Sequence, residues 1–202
     1  MKPEDIASSY DQIANIWNSS NFPRENGIKQ HERAIAFVKN RNRALDIGCG
    51  SSGRIIDILQ SHGFSVEGVD ISVQMLELAK KRHPDVTFHH ADICRWVFPE
   101  KYDFISAWDS IWHLPLFEQK PVMQKIMQAL NPGGVFIFTT AGLDEPTEKT
   151  DSAMGPEMYY SVPGIPQTLA SISASGCICR HLEYDQYPEQ HLYIIAQKKS
   201  GT

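Results

Sequence analysis

The feature that most constrains the fold is the stretch LDIGCGSSG, in which a short apolar run leads into three closely spaced glycines. They stand at Gly48, Gly50 and Gly53, in the order G-x-G-x-x-G, and a segment with apolar residues at helical spacing follows. Without Cβ atoms, these residues allow the backbone to turn tightly and to lie against a ligand. A strand, a glycine-rich turn and a helix in this order are typical of cofactor sites in α/β folds. The pattern alone leaves open which adenosine-containing cofactor binds.

Strands and helices alternate after this loop, and the chain ends in two strands joined by a short link. We predict strands at 44–47, 65–70, 86–90, 102–108, 135–140, 177–185 and 191–198. Such alternation indicates a Rossmann-like α/β fold with a mostly parallel sheet and an antiparallel terminal pair. We expect one domain over residues 1–202, with a helical cap at 1–40 that could serve as a lid. Residues 141–162, rich in Gly, Pro and acidic residues, are predicted to form a loop insertion over the substrate site.

Composition makes some classes of function less favoured than others. A formal net charge of -5 provides no basic field for a phosphate backbone, so nucleic acid is not the expected partner. No apolar run approaches the roughly 20 residues that span a bilayer, and the first residues lack a long apolar centre, so we expect no membrane association and a cytoplasmic location. The cysteines are scattered and without metal-ligand spacing, which predicts reduced thiols and no metal site.

Carboxylates beside the predicted strand ends narrow the choice of cofactor. Asp70 lies 20 positions beyond Gly50, where a carboxylate accepts hydrogen bonds from ribose hydroxyls. Asp46, two residues before Gly48, would repel a pyrophosphate and attract a cation. S-adenosylmethionine has no phosphate and carries a sulfonium and an ammonium group. Asp92 could accept from an adenine amino group while Ile93 packs on the ring.

Five motifs in sequence order resemble the class I S-adenosylmethionine-dependent methyltransferases. They are LDIGCGSSG, VEGVDIS, ADI, YDFISAWDSIWHL and LNPGGVFIFTT, and the resemblance extends from about Tyr10 to the terminal hairpin. It implies a three-layer αβα sandwich, with a seven-stranded, mostly parallel sheet whose last strand is antiparallel. It also implies S-adenosylmethionine as methyl donor and S-adenosylhomocysteine as product. The residues expected at the cofactor are Tyr10, Asp46, Gly48, Cys49, Gly50, Asp70, Ile71, Met75, Asp92, Ile93 and Trp108.

The acceptor is less clearly indicated. The motif WDSI replaces the Asn-Pro-Pro-Tyr-like tetrapeptide of methyltransferases that act on base or amide nitrogens, and LNPGG resembles the small-molecule branch. We therefore expect transfer to a small molecule by a monomer or homodimer. The alternatives are a protein or RNA methyltransferase of the same fold and a non-catalytic, S-adenosylmethionine-binding regulatory module. A dinucleotide oxidoreductase is opposed by Asp46 and by the later motifs.

Candidate residues on the acceptor side lie after the fourth strand and in the predicted insertion. His113 is the expected general base, with helix capping near Pro115 as its structural alternative. Tyr10 and Trp17 could close over the cofactor or simply pack in an amphipathic helix. The aromatic and apolar residues expected at the substrate are Trp112, Met158, Tyr159 and Tyr160. Core packing or a dimer contact are the alternatives for these residues.

Overall fold

A computed structural model describes residues 1–17, 19 and 23–200. Six α-helices are seen in these ranges: α1 (Pro3–Trp17), α2 (Ile28–Ile35), α3 (Arg54–Ser61), α4 (Val73–Arg82), α5 (Leu116–Gln128) and α6 (Ile165–Ala174). The strands are β1 (Arg43–Ile47), β2 (Ser65–Asp70), β3 (Thr87–His90), β4 (Tyr102–Ala107), β5 (Leu130–Ala141), β6 (Thr147–Asp151), β7 (Met158–Val162), β8 (Cys177–Tyr184) and β9 (His191–Lys198). A short 3₁₀ turn covers Ile111–His113.

Seven strands form one sheet in the order β3-β2-β1-β4-β5-β9-β8. Strand β1 pairs in parallel with both β2 and β4, and β9 pairs antiparallel with both β5 and β8. The last strand of the chain is therefore the antiparallel one, inserted between β5 and β8. This confirms the predicted Rossmann-like, mostly parallel sheet. The strand order reverses between β1 and β4, which creates a crevice at their carboxyl ends.

Helices cover both faces of the sheet, because alternate strand residues point to opposite sides. The neighbours Phe104 and Ile105 on β4 belong to different hydrophobic clusters. Phe104 packs in the cluster that holds α2 and α3, whereas Ile105 packs in the cluster that holds α5 and α6. Every residue of β4 is buried, as expected of a strand covered on both sides. The layers confirm the three-layer αβα sandwich.

The prediction of a loop at 141–162 was wrong for much of that segment, which contains the hairpin β6–β7. Thr147 pairs with Val162, and Thr150 pairs with Tyr159. Threonine, valine and tyrosine favour strands, and cross-strand pairs of this kind stabilise a hairpin. The acidic residues that suggested a loop lie on or near the exposed strand β6, while β7 is mostly buried.

Helices α1 and α2 occupy the segment predicted as a helical cap. Ile6 and Ile13 of α1 are buried, which is the expected consequence of its amphipathic spacing. Within the described part of the chain, no helix combines the length and the apolar character that crossing a bilayer requires.

Candidate active site

A cavity opens at the carboxyl ends of β1, β2 and β4, where the strand order reverses. It encloses about 1080 Å³, its open mouth included. All of the residues expected at the cofactor line it: Tyr10, Asp46, Gly48, Cys49, Gly50, Asp70, Ile71, Met75, Asp92, Ile93 and Trp108. His113 lines it as well. The topology therefore gathers side chains that lie as much as a hundred positions apart around one crevice.

The glycine loop is closely packed at one glycine and open at the next. Gly48 has φ 67°, and a Cβ atom there would lie 2.3 Å from the Cβ of Ser110. Gly50 has φ 56°, but a Cβ atom there would have no protein atom within 4 Å. Val69 O accepts from the N–H groups of both Gly48 (2.8 Å) and Cys49 (3.2 Å), which holds the loop against β2. Gly48 thus allows the loop to pack on the segment after β4, and Gly50 borders free space.

Asp70 is held by backbone donors at the end of β2. Its Oδ2 accepts from Gly50 N–H at 2.9 Å, and its Oδ1 accepts from Ser72 N–H at 2.8 Å. Burial raises the pKa of Asp70, against the opposing effect of these N–H groups. Ser72 is the N-cap of α4, because its hydroxyl accepts from Met75 N–H. Local hydrogen bonds therefore fix the orientation of the carboxylate beside the cavity.

Asp92 and Ile93 lie beyond β3, at the other end of the cavity. Asp92 Oδ1 accepts from Cys94 N–H at 2.9 Å, so the turn itself orients the carboxylate. Ile93 packs partly against the hydrophobic core and borders the cavity with its remaining surface. A hydrogen-bond acceptor and an apolar surface thus stand side by side, which suits a flat heteroaromatic ring.

Asp46 is a buried carboxyl group, only 4% exposed, at the base of the cavity. Burial raises its pKa to about 7, and the negative charge of Asp70 acts in the same direction. The positive charge of Arg54 acts against this shift. A cation bound in the cavity would favour the charged form of Asp46 in the same way.

His113 is buried and accepts two hydrogen bonds at one ring nitrogen. Its Nδ1 lies 2.7 Å from the carbonyl oxygen of Tyr159, and its Nε2 lies 2.8 Å from the Tyr10 hydroxyl and 3.1 Å from Trp112 Nε1. A carbonyl only accepts and an indole N–H only donates, so we assign the proton to Nδ1 and the lone pair to Nε2. Burial lowers the pKa of His113 to about 4, which agrees with a neutral ring. The residue makes no capping contact to α5, whose N-cap is Pro115.

Helix α1 covers the cavity and is tied down at two places. Ser9 Oγ donates to the carbonyl oxygen of Glu157 at 2.8 Å, which connects α1 to the segment before β7. Asp11 accepts from Gln74 N–H at 3.1 Å and from the hydroxyl of Ser72, which connects α1 to the start of α4. Tyr10, between them, reaches the cavity and His113, and burial raises the pKa of its phenol.

The residues expected at the substrate lie around His113, and none of the four is among the described residues that line the cavity. The Tyr160 ring lies 4.8 Å from the His113 ring, and the Trp112 ring lies 6.3 Å from each of them. Met158 is fully buried, and Tyr159 donates its hydroxyl to Glu148 Oε2 at 2.7 Å. Their contact with an acceptor stays a prediction.

Two charged residues that line the cavity were missed by the sequence argument, Asp109 and Arg54. Asp109 directly follows Trp108 at the end of β4, so its place after a strand was a usable signal. Arg54 directly follows the glycine loop and donates to Asn26 O at 2.8 Å and to Ser52 Oγ at 2.9 Å. No cluster with the composition of a metal site occurs among the described residues.

Residues 44–134 match a family model described as a methyltransferase domain. The carboxy-S-adenosyl-L-methionine synthase of a Nitratiruptor species is 31% identical over 142 residues, which cover 67% of this chain and 58% of that protein. The trans-aconitate 2-methyltransferase of Rhizobium leguminosarum bv. trifolii is 35% identical over 94 residues, which cover 46% and 36%. The chain thus spans about half, or less, of the length of these relatives.

The fold is also similar to that of an amino pentose methyltransferase from Micromonospora echinaspora, solved with S-adenosylmethionine bound. The TM-score is 0.69 at 16% identity, and the alignment covers 92% of this chain and 95% of the other. The sequence matches and the seven-stranded sheet together support a class I S-adenosylmethionine-dependent methyltransferase.

Proposed function

We propose that this chain transfers a methyl group from S-adenosylmethionine to a small-molecule acceptor and releases S-adenosylhomocysteine. The observation that carries the proposal is the charge of the cavity lining. Among the described residues, one arginine lines the cavity, Arg54. Four aspartates line it as well: Asp46, Asp70, Asp92 and Asp109. Such a lining favours a cationic cofactor without phosphate over a dinucleotide, whose pyrophosphate it would repel.

We propose that the cofactor lies along the carboxyl ends of the strands, as in other open α/β sheets. Asp70 would accept from the ribose hydroxyls, flanked by Ile71 and Met75. Asp92 and Ile93 would take the adenine, and the loop from Gly48 to Gly50 would hold the methionine part. S-adenosylmethionine supplies an already activated methyl group, so the main task of the protein is to align the acceptor with it.

The proposed catalytic role of His113 runs through Tyr10. The Tyr10 hydroxyl donates to His113 Nε2, and its oxygen keeps lone pairs that can accept a proton from an acceptor. When the acceptor bonds to the methyl carbon, whose bond to sulfur breaks as S-adenosylhomocysteine leaves, its acidified proton would pass to Tyr10 while the Tyr10 proton passes to His113 Nε2. A group with a pKa of about 4 is a weak base, which is sufficient for a proton that methylation itself acidifies.

Cover over the cavity supports a small acceptor rather than a polymer. Helix α1 crosses the opening and is anchored to the start of α4 and to the segment before β7. A protein or RNA strand would need an open groove past His113, where Tyr10 and Trp112 make hydrogen bonds instead. The relatives named above include a methyltransferase of trans-aconitate, a small molecule. We therefore propose helix α1 and the hairpin β6–β7 as the cover of the acceptor site.

Calorimetry and a labelled methyl donor test the proposal. We expect S-adenosylmethionine to bind the wild type and to bind Asp70→Asn about 10- to 100-fold more weakly, because charge-assisted hydrogen bonds are lost. Asp85→Asn, an exposed carboxylate outside the cavity, is the matched control and should bind normally.

Incubation with methyl-labelled S-adenosylmethionine and fractionated cell extract then identifies the acceptor class. Label in the small-molecule fraction supports the proposal. Label in protein or RNA would exclude a small acceptor, and cofactor binding without any transfer would favour a regulatory module. Absence of binding by the wild type would refute the cofactor.

A further inference from the structure

Asp109 stands at the carboxyl end of β4 in an uncommon backbone conformation. Its φ is 53°, in the left-handed region, which costs a residue with a Cβ atom about 1 kcal/mol. The conformation is held by a hydrogen bond from Asp109 N–H to Thr139 Oγ1 at 2.8 Å. Its side chain, 24% exposed, lines the cavity. The structure thus maintains a charged residue at this place in spite of the local cost.

His191, the first residue of β9, lies between two carboxylates. Its Nε2 is 3.0 Å from Asp109 Oδ1, and its Nδ1 is 2.5 Å from Asp185 Oδ1. A carboxylate only accepts hydrogen bonds, so both ring nitrogens carry a proton and the ring is an imidazolium. Burial lowers the pKa of His191, but the hydrogen bonds to the two carboxylates outweigh burial, and the net pKa lies above its ordinary value. The His191 and Asp185 side chains are only 10% and 5% exposed, so solvent screens the cluster weakly.

Each carboxylate has a second, uncharged donor on its free oxygen. Asn26 Nδ2 donates to Asp109 Oδ2 at 3.2 Å, and Gln30 Nε2 donates to Asp185 Oδ2 at 2.6 Å. The rings of Trp108 and Trp112, at 5.8 and 5.7 Å, are the aromatic neighbours of His191 and carry no charge. The Asp109–His191–Asp185 cluster itself holds two anions and one cation, and its more exposed carboxylate is Asp109. Arg54 acts on Asp109 through a further positive charge.

Asp109 borders the part of the cavity formed by the glycine loop. Strand β4 pairs with β1, and Ser110, the next residue, donates its hydroxyl to Ile47 O at 2.8 Å. The same Ser110 is the residue that a Cβ atom at Gly48 would strike. The segment of Asp109 and Ser110 therefore packs directly on the loop proposed above to hold the methionine part, which carries both positive groups of S-adenosylmethionine.

We propose that His191 is a positioning residue that, with Asp185, fixes the Asp109 carboxylate in the cavity, and that Asp109 there binds a cationic group of the cofactor. The inference rests on the proposed function for the identity of the cofactor. The two sources of positive charge are the sulfonium, present in S-adenosylmethionine alone, and the ammonium, which S-adenosylhomocysteine shares. The sequence offered no signal for this role, because His191 lies 82 positions from Asp109 and opens a strand of the core.

Calorimetric titration of both ligands into Asp109→Asn tests the proposal. We expect at least a tenfold loss of affinity for S-adenosylmethionine, because a charged hydrogen-bond acceptor is replaced by a neutral group. A loss confined to S-adenosylmethionine assigns the sulfonium, and an equal loss for S-adenosylhomocysteine assigns the ammonium. Unchanged affinity for both, in a variant with the wild-type circular dichroism spectrum, overturns the proposal. Absence of binding to the wild type would instead refute the proposed function on which it rests.

His191→Gln and Asp185→Asn test the positioning role. Both variants should bind more weakly the ligand whose affinity falls in Asp109→Asn. The expected loss is about three- to tenfold, smaller than in Asp109→Asn itself. His89→Gln is the matched control, because the His89 ring lies 2.8 Å from the Glu67 carboxylate, outside the cavity. The affinity of this variant for both ligands should equal that of the wild type. Affinity that falls in Asp109→Asn but not in His191→Gln would overturn the role of His191.

The pH profile supplies a readout that a purely structural role would not move. In the wild type, affinity for the cofactor should fall at alkaline pH. His191 then loses a proton, and the lone pair on its ring nitrogen faces a carboxylate oxygen, so the hydrogen bond that positions that carboxylate is lost. Asp185→Asn removes one of the carboxylates that raise the pKa of His191, so this fall should move to lower pH. NMR titration of the free protein measures the same pKa without any ligand, and a value at or below that of an ordinary histidine would contradict the cluster.

Discussion

The two ends of the cavity are built in different ways. At the cofactor end, the glycine loop follows β1, Asp70 ends β2 and Asp92 lies two residues beyond β3, and nearby backbone N–H groups hold both carboxylates. At the acceptor end, Tyr10 meets His113 across 103 positions. The first end is a product of strand order, whereas the second depends on how remote segments dock. We expect substitutions at the cofactor end to change stability and cofactor binding, and substitutions at the acceptor end to change turnover.

The largest expected effect is at the glycine loop. Gly48→Ala should destabilise the fold by more than about 3 kcal/mol and abolish measurable cofactor binding, because its Cβ would strike Ser110 and φ is positive. Gly50→Ala, with a similar φ but open space, should cost only about 1–2 kcal/mol. Urea unfolding of both variants compares them. Equal costs would mean that the close approach to Ser110 does not matter.

Tyr10→Phe affects the acceptor end alone. Loss of the hydroxyl interrupts the proposed path to His113, so kcat should fall about 100-fold while the dissociation constant of S-adenosylmethionine changes less than about threefold. Steady-state kinetics and calorimetry separate the two quantities. The control is Tyr187→Phe, an exposed tyrosine far along the chain. A variant that loses cofactor affinity and turnover together would show that Tyr10 serves the cofactor end instead.

Asp46→Asn should change stability and cofactor binding in opposite directions. The pKa of Asp46 in the folded protein, about 7, lies above its ordinary value, so the folded state keeps a proton that the unfolded state has lost. Stability therefore falls as pH rises from about 4 to 7 and stays reduced above 7. Asparagine does not ionise, so the variant avoids this loss. Without ligand, its free energy of unfolding should exceed that of the wild type by about 1–3 kcal/mol at pH 8 and should not differ near pH 4. Cofactor affinity should fall at the same time.

Thermal or urea unfolding at pH 4 and pH 8 measures the Asp46 effect. A gain in stability at pH 8 without a loss of affinity would show that Asp46 does not face the cationic part of the ligand. If stability does not rise at either pH, burial does not raise the pKa of the Asp46 carboxyl group.

Ser9→Ala should have the smallest effect. It removes the hydrogen bond from α1 to Glu157 O, worth about 0.5–1.5 kcal/mol. Hydrogen exchange of α1 should become faster, with the sheet unaffected. Ser8→Ala, one position earlier and exposed, is the control and should leave exchange unchanged. If both variants behave alike, the contact with the segment before β7 does not hold α1 over the cavity.

The cofactor end was predictable because its signals are local. Asp70 is the last residue of a strand whose limits, Ser65–Asp70, agree with the prediction, and the residues expected at the cofactor all line one cavity. The hairpin β6–β7 was missed because Gly, Pro and acidic residues nearby indicated a loop, whereas tertiary burial of Met158 and Tyr159 favoured strands. The roles of the individual site residues stay proposals.

By itself, the sequence determined the α/β class, the order of the strands along the chain and the resemblance to the class I S-adenosylmethionine-dependent methyltransferases. These follow from hydrophobic periodicity and from short motifs, which act within a few residues of one another. Tertiary structure alone decided the protonation states of His113 and His191. His113 meets a carbonyl and two neutral donors and is neutral, whereas His191 meets two carboxylates and is charged. The pKa of an imidazole depends on what surrounds it in space, and those neighbours come from segments that the chain order keeps far apart.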